Sequence, residues 1–291
     1  MFPKAPDDHK PNKPLVPNGL GVIYVLVSAT YLFLLHWSEP AGIEASNNVS
    51  PALTLAVCIL FGGFMGLLDD WMDLRWRYKA FFPLIAAIPL ISLATRLGLR
   101  TSIAIPIFGD IDFGVYYYFI IIPLIVTITT NTVNQLGGLN GLETICPTII
   151  VIGMMAISGS NVMLLYAPLL VWLLLAFLNF QGKIFVGNTG SFAIGMTLAA
   201  FAIISDLKSS LLISLLPYIS NSALILLNYF FFGARAGVSF DGEKLLSDHR
   251  RSLVTLMTCR RPLSERQVVL MISLLVAAST SAALMFQWLL L

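Results

Sequence analysis

The sequence predicts an all-α, polytopic membrane protein, built as a single integral membrane domain over residues 1–291. Three observations lead there. The chain is 57% hydrophobic and only 11% charged, whereas soluble domains carry roughly 25% charged residues. Its apolar residues gather into runs of the roughly 17–25 residues that cross a bilayer as helix. Its basic residues fall almost entirely on one side of the topology those runs define.

The first nineteen residues, MFPKAPDDHKPNKPLVPNG, are polar and rich in proline. They lack the basic stretch and short apolar core of a cleavable signal, and read as an N-terminal aqueous loop, residues 1–19. About nine transmembrane helices follow, at residues 20–37, 51–68, 81–97, 114–130, 142–159, 161–178, 189–205, 209–231 and 267–290. The fifth and sixth are nearly continuous, divided only by SGSN at 158–161. Alternate crossing puts residues 1–19, 69–80, 131–141, 179–188 and 232–266 on one side, the last of these being a long final loop. That side holds fourteen of the seventeen Lys and Arg residues, with Arg96, Arg100 and Lys208 opposite. Basic loops stay in the cytoplasm, so this face is predicted to be cytoplasmic. The other side carries residues 38–50, in which Asn48-Val49-Ser50 fits a glycosylation acceptor, and residues 97–114, which suit a small hairpin.

Several function classes fall away on composition. Cys58, Cys146 and Cys259 lie far apart in or beside apolar runs, without the spacing of a zinc site or a disulfide framework. The net charge of +2 says little, because in a membrane protein the distribution of charge matters more than its sum; no nucleic-acid partner is expected. A transporter would place coupling residues at the bilayer midplane, often in two repeats. Here the charges sit at one face and no repeat is evident.

The polar residues of the cytoplasmic segments converge from five distant parts of the chain. GLLDDWMDLRWRYKAF (66–81) places Asp69, Asp70 and Asp73 beside Arg75, Arg77 and Lys79. Carboxylates at the hydrocarbon edge are costly and are retained for a function or a partner. Asp73, three to four residues on, is expected on the same helical face. Oxygen ligands suit a hard cation that also keeps phosphate oxygens as ligands, and Lys79 and the arginines suit the phosphate itself. The alternative is a plain ion pair between these acids and Arg75, Arg77 or Lys79. NTVNQLGGLNGLE (131–143) puts Asn131 and Asn134 on one helical face, ahead of a glycine-rich turn into a helix N-terminus, where free N–H groups take anions. Capping asparagines in an ordinary helix break would read the same way, and Glu143 would favour the following helix dipole. NFQGKIFVGNTGSF (179–192) resembles a loop closing on a helix cap at Gly187–Gly190. The pattern is that of metal-assisted diphosphate chemistry at a membrane surface.

DDWMDLRWRYK, NTVNQLGGLNGLE, KIFVGNTGSF and PLSER, in that order along nearly the whole chain, resemble the polyprenyl-phosphate N-acetylhexosamine-1-phosphate transferases. The wording of LRWRYK and NGLE is nearest the eukaryotic and archaeal branch, which makes N-acetylglucosaminyl-diphospho-dolichol. The resemblance implies a ten-helix fold whose first helix this chain lacks, the nine spans matching the rest. It implies transfer of GlcNAc-1-phosphate from UDP-GlcNAc to a polyprenyl or dolichyl phosphate, releasing UMP, with Mg²⁺ as cofactor and Mn²⁺ as its substitute. The active site would face the cytoplasm, in the plasma membrane or the endoplasmic reticulum, and the partners would be both substrates, the bilayer and a second copy in a homodimer.

Carried over position by position, Asp69 and Asp70 match the catalytic aspartate pair, and Asp73 stands where relatives have Asp or Asn. Lys79 matches a phosphate-contacting lysine. Asn131 and Asn134 match residues that contact nucleotide sugar and metal, and Asn140 lies in the adjoining loop. Asn188 stands where relatives read GDT, so a metal ligand keeps its oxygen but loses a full charge. In the last loop Arg235, His249 and Arg250 are the candidates for holding the diphosphate, without a clean match. The triple-histidine pattern of the muramyl-pentapeptide branch is missing. An impaired homologue that binds lipid or a partner protein is the alternative implied by Asn188 together with the expected lack of the first helix.

Overall fold

The computed structural model describes residues 2–38, 49–106, 108–233 and 236–290; Asn48 and Arg235 lie outside them. The chain opens on a short antiparallel hairpin, β1 (Lys4–Pro6) with β2 (Leu15–Pro17), Ala5 opposite Val16. The N-terminal loop is therefore ordered strand where an all-α reading expected coil. Helices α1 (Gly21–Ser38) and α2 (Pro51–Met72) follow. Ser50 caps α2 by accepting from the Leu53 N–H, and Pro51 fills the first turn, where no N–H is needed.

The third predicted span is α3 (Trp76–Ala86) running into α4 (Ile88–Leu97), with Pro83 and Pro89 along it. β3 (Ser102–Ile105) and β4 (Gly109–Asp112) then form the expected hairpin of the opposite face. A π-helical turn at Tyr117–Ile121 leads into α5 (Ile122–Gln135). α6 (Leu142–Ile157) and α7 (Tyr166–Phe180) are separated by a 3₁₀ turn, Gly159–Leu165, at the SGSN boundary. α8 (Gly187–Ile204) comes next, then α9 (Lys208–Ser214) and α10 (Leu216–Phe232), bent by 56° at their junction, where Pro217 enters. The last loop carries β5 (Ser239–Phe240) paired with β6 (Leu245–Leu246), and α11 (Leu253–Thr258), before α12 (Glu265–Leu290).

Among the described residues seven spans are long and apolar enough to cross a membrane, and the bent α9–α10 pair makes an eighth. The remaining predicted span, α6, is apolar but shorter. This is an integral membrane protein.

α8 is the axis of the bundle. Every residue from Thr189 to Ile204 is buried, against α2, α5 and α1. Small residues make that possible, because helices in lipid associate through close backbone approach. Gly62 and Gly66, one turn apart on α2, lie against α8: a Cβ on Gly66 would fall 2.1 Å from the Asn188 carbonyl oxygen. Gly66 thereby sets the N-terminus of α8 directly beside the last turn of α2, which carries the aspartates.

Candidate functional site

The consequence is a helix cap supplied from another helix. The Asp70 carboxylate accepts the N–H of Asn188 and of Thr189, both at 2.9 Å, and the Thr189 hydroxyl at 2.8 Å. The first amides of a helix have no intrahelical partner and carry its positive dipole end, so a carboxylate fits there. Asp70 is thus held in one orientation by three donors. Gly187, at φ +69°, makes the turn, and a Cβ there would fall 2.9 Å from the same carboxylate.

Asp69 points elsewhere, since neighbouring residues on a helix differ in direction by about 100°. It is buried, its Oδ2 lies 2.9 Å from the Lys79 Nζ on α3, and its Oδ1 accepts the Leu74 N–H at 3.0 Å. The ion pair weighed as the alternative thus forms at Asp69. Asp73 departs from the expected helical face: α2 ends at Met72, and Asp73 takes a left-handed conformation at φ 46° as its C-cap. The loop must turn at once to start α3 at Trp76. The two asparagines of α5 also divide. The Asn131 amide donates to the Lys79 carbonyl at 3.1 Å and to Thr127 of its own helix, which ties α3 to α5. Asn134 accepts the Ser191 hydroxyl of α8 at 2.7 Å and faces the cavity.

That cavity, of about 310 Å³, lies where α2, α5, α6 and α8 end. Asp70, Asn134, Glu143 and Asn188 line one side, with the glycine backbone at Gly137 and Gly138. The N-terminal segment also lines the cavity, through Asp7, Asp8 and His9 of the hairpin turn and Asn18 just after β2. The motifs did not single out these four; DDHK in a polar segment was the available signal for the first three. The Lys13 hydrogen bond, at 2.8 Å in their ion pair, holds the Asp8 carboxyl below the usual carboxylate range.

The hairpin is fastened at two places. Backbone bonds run from Phe185 N–H to Pro17 at 2.8 Å, and from Gly21 N–H to Val186 at 2.9 Å. The buried Asn140 amide donates to Asp7 at 2.8 Å and to Glu265 of α12 at 3.1 Å, while the Asn140 N–H donates to Glu265 at 2.7 Å. Lys10 pairs with Asp7 at 3.0 Å. Asn140 holds the wall of the cavity and is not among the residues that line it. Asn179, also buried, accepts the Gly141 N–H at 2.8 Å and donates to the Ile184 carbonyl at 2.9 Å, joining the two cavity loops.

His249 and Arg250 stand apart from this cavity. His249 contacts Ser247 in its own loop, and Arg250 lines a separate cavity with Arg260 and Arg261. A smaller cavity of about 190 Å³ shares His9 and Gly137–Leu139 with the first and is walled by Ile225, Val238 and Val254.

The donor set fits a hard divalent cation. Asp70, Glu143, Asn134 and Asn188 all offer oxygen and no sulfur lines the cavity, while no group of three or more His, Cys, Asp or Glu side chains placed to hold a metal occurs among the described residues. Mg²⁺ in phosphate sites is held by one or two carboxylates with substrate phosphates and water completing the shell.

Fold and site together define an integral membrane helical bundle with an oxygen-rich cavity at one end. The chain belongs to the glycosyl transferase family 4, which matches residues 52–206. It is 31% identical, over 91% of its length and 82% of the relative's, to a candidate UDP-N-acetylglucosamine–dolichyl-phosphate N-acetylglucosaminephosphotransferase of Saccharolobus solfataricus. A protein of the same designation from Sulfolobus acidocaldarius is 34% identical, over 73% of this chain and 66% of the relative. The Saccharomyces cerevisiae UDP-N-acetylglucosamine–dolichyl-phosphate N-acetylglucosaminephosphotransferase is 26% identical, over 74% of this chain and 58% of the relative.

Proposed function

We propose that the protein transfers GlcNAc-1-phosphate from UDP-GlcNAc to a polyprenyl or dolichyl phosphate, giving GlcNAc-diphospho-polyprenol and UMP. The observation that carries this is the meeting of Asp70, Glu143, Asn134 and Asn188 in one cavity, in a family member whose relatives bear that activity in their names. The distribution of basic residues supports a cytoplasmic position for the cavity, with the reaction on that face of the membrane.

An oxygen of the acceptor phosphate attacks the donor's β-phosphorus, and the bond from that phosphorus to the bridging oxygen breaks as UMP leaves. A phosphate monoester has its second pKa near 6, so the acceptor is already largely dianionic at neutral pH. The role left for Asp70 is positioning and electrostatics, and its three donors fix it for that. Asn134, oriented by Ser191, offers an amide to the donor. Asp69 and Lys79 act through their ion pair, holding the α2–α3 turn against the site. Asp70, Glu143, Asn134 and Asn188 are the residues that would hold Mg²⁺, or Mn²⁺ in its place, which supplies neutralising charge to the diphosphate and to UMP.

The test is turnover of radiolabelled UDP-GlcNAc with dolichyl phosphate in proteoliposomes. Wild type is active, Asp70→Asn is not, and near-normal turnover in both Asp69→Asn and Asp70→Asn refutes the reading. Mn²⁺ binding to the protein alone, followed by electron paramagnetic resonance, tightens in Asn188→Asp because a carboxylate replaces an amide oxygen.

A further inference from the structure

Arg250, Arg260 and Arg261 line one cavity of about 290 Å³ in the last loop. None of the three guanidinium groups pairs with a carboxylate among the described residues. Orientation in the membrane accounts for basic residues on this face. It does not account for three of them around a single cavity with no acid, an arrangement in which like charges repel unless an anion sits between them. The rest of the wall is apolar, with Leu256 of α11 and Met271 of α12 both partly exposed. From Met271 an exposed apolar stripe continues down α12 through Leu270, Leu274 and Leu275. α12 is one of the spans long and apolar enough to cross a membrane. The cavity therefore sets three arginines and an apolar wall beside the first turns of α12, from which the exposed apolar stripe runs on. It shares no lining residue with the Asp70 cavity.

We propose that this cavity seats the phosphate of an anionic bilayer phospholipid, whose acyl chains lie along α12. Guanidinium groups match phosphate oxygens in paired hydrogen bonds, and basic pockets beside membrane helices on the cytoplasmic side hold anionic headgroups. A soluble anion would use the arginines but not the apolar wall.

The full chain is reconstituted in vesicles of phosphatidylcholine with a minor share of phosphatidylglycerol, extracted in mild detergent, and its retained lipids are measured by mass spectrometry. Wild type retains phosphatidylglycerol above its share in the vesicle, and the double variant Arg260→Gln/Arg261→Gln retains about tenfold less. Leu256→Glu, which leaves the arginines in place and sets a carboxylate in the cavity wall, gives the same loss and decides the matter should the double variant fail to fold. Equal retention by wild type and variants overturns the proposal, as does retention no greater than the vesicle's composition. Displacement by inorganic phosphate reassigns the cavity to a soluble anion, and displacement by dolichyl phosphate at lower concentration than phosphatidylglycerol reassigns it to the acceptor; either outcome overturns it. Retention is read without turnover, so its failure leaves the proposed transferase activity untouched.

Discussion

At the end of the bundle that carries the β3–β4 hairpin, two pairs of opposite charges meet. Arg100 pairs with Asp110 at 2.7 Å, and Lys208 with Asp206 at 2.7 Å. At the other end Asp70 is held by backbone amides and a hydroxyl, and the residues around it face a cavity. Charges satisfied by one another stabilise little when exposed, because water competes for both partners. Charges held by neutral donors remain negative toward whatever enters. The difference separates polar residues that close a fold from polar residues poised for a ligand.

The largest effect is expected where a cavity residue is changed. Asp70→Asn presents an NH₂ to donors that need an acceptor and removes the charge, so turnover falls by about 10²-fold or more, read from radiolabelled UDP-GlcNAc while helicity by circular dichroism is unchanged. Next is Gly66→Ala. Its Cβ meets the Asn188 carbonyl at 2.1 Å, and overpacking of this kind costs roughly 1–3 kcal/mol, seen as a lower Tm in detergent. Turnover falls with it, since a shift of about 1 Å at a reacting group can cost about 10²-fold.

Smaller is Asn140→Ala, which unties the hairpin from Glu265 and Asp7 while leaving the lining residues in place. KM for UDP-GlcNAc rises by about tenfold with kcat less affected, and hydrogen exchange at residues 4–17 quickens. Unchanged exchange in the hairpin would break the distinction between residues that line the cavity and residues that hold its wall.

The smallest effect belongs to the opposite end. The Arg100 hydrogen bond holds the Asp110 carboxyl below its usual range. A depressed carboxylate pKa contributes stability above the unfolded value of about 3.9, and loses it as pH falls below that. Arg100→Ala should therefore return the Asp110 titration, followed by NMR, toward about 3.9, with turnover unchanged and Tm at neutral pH lowered only slightly, because the pair is exposed.

Much of the frame was legible in the chain. Runs of apolar residues locate spans because backbone groups in lipid must be satisfied within a helix, and every predicted span falls on a helix or a helix pair. The hairpin at 97–114 and the break at SGSN were readable for the same reason. The cap at Gly187–Gly190 was readable from its glycines, but its partner was not, because Asp70 lies more than a hundred residues away. Asn131, Asn134 and Asn140 looked alike as amides near a glycine turn. One ties helices together, one faces the cavity and one latches the hairpin, according to which backbone or carboxylate passes nearby.

The sequence by itself determined the membrane-spanning architecture, the gathering of basic residues on one side and the family resemblance, because hydropathy, charge and motif order are properties of the chain read locally. Only the tertiary structure decided that Asp70 faces the cavity while Asp69 faces Lys79, that the N-terminal hairpin supplies a wall, and that three arginines of the last loop meet around a second cavity. The direction of a side chain is set by helix phase, and the identity of its partner by how closely helices pack at residues such as Gly66. Neither is written at the position where the side chain stands.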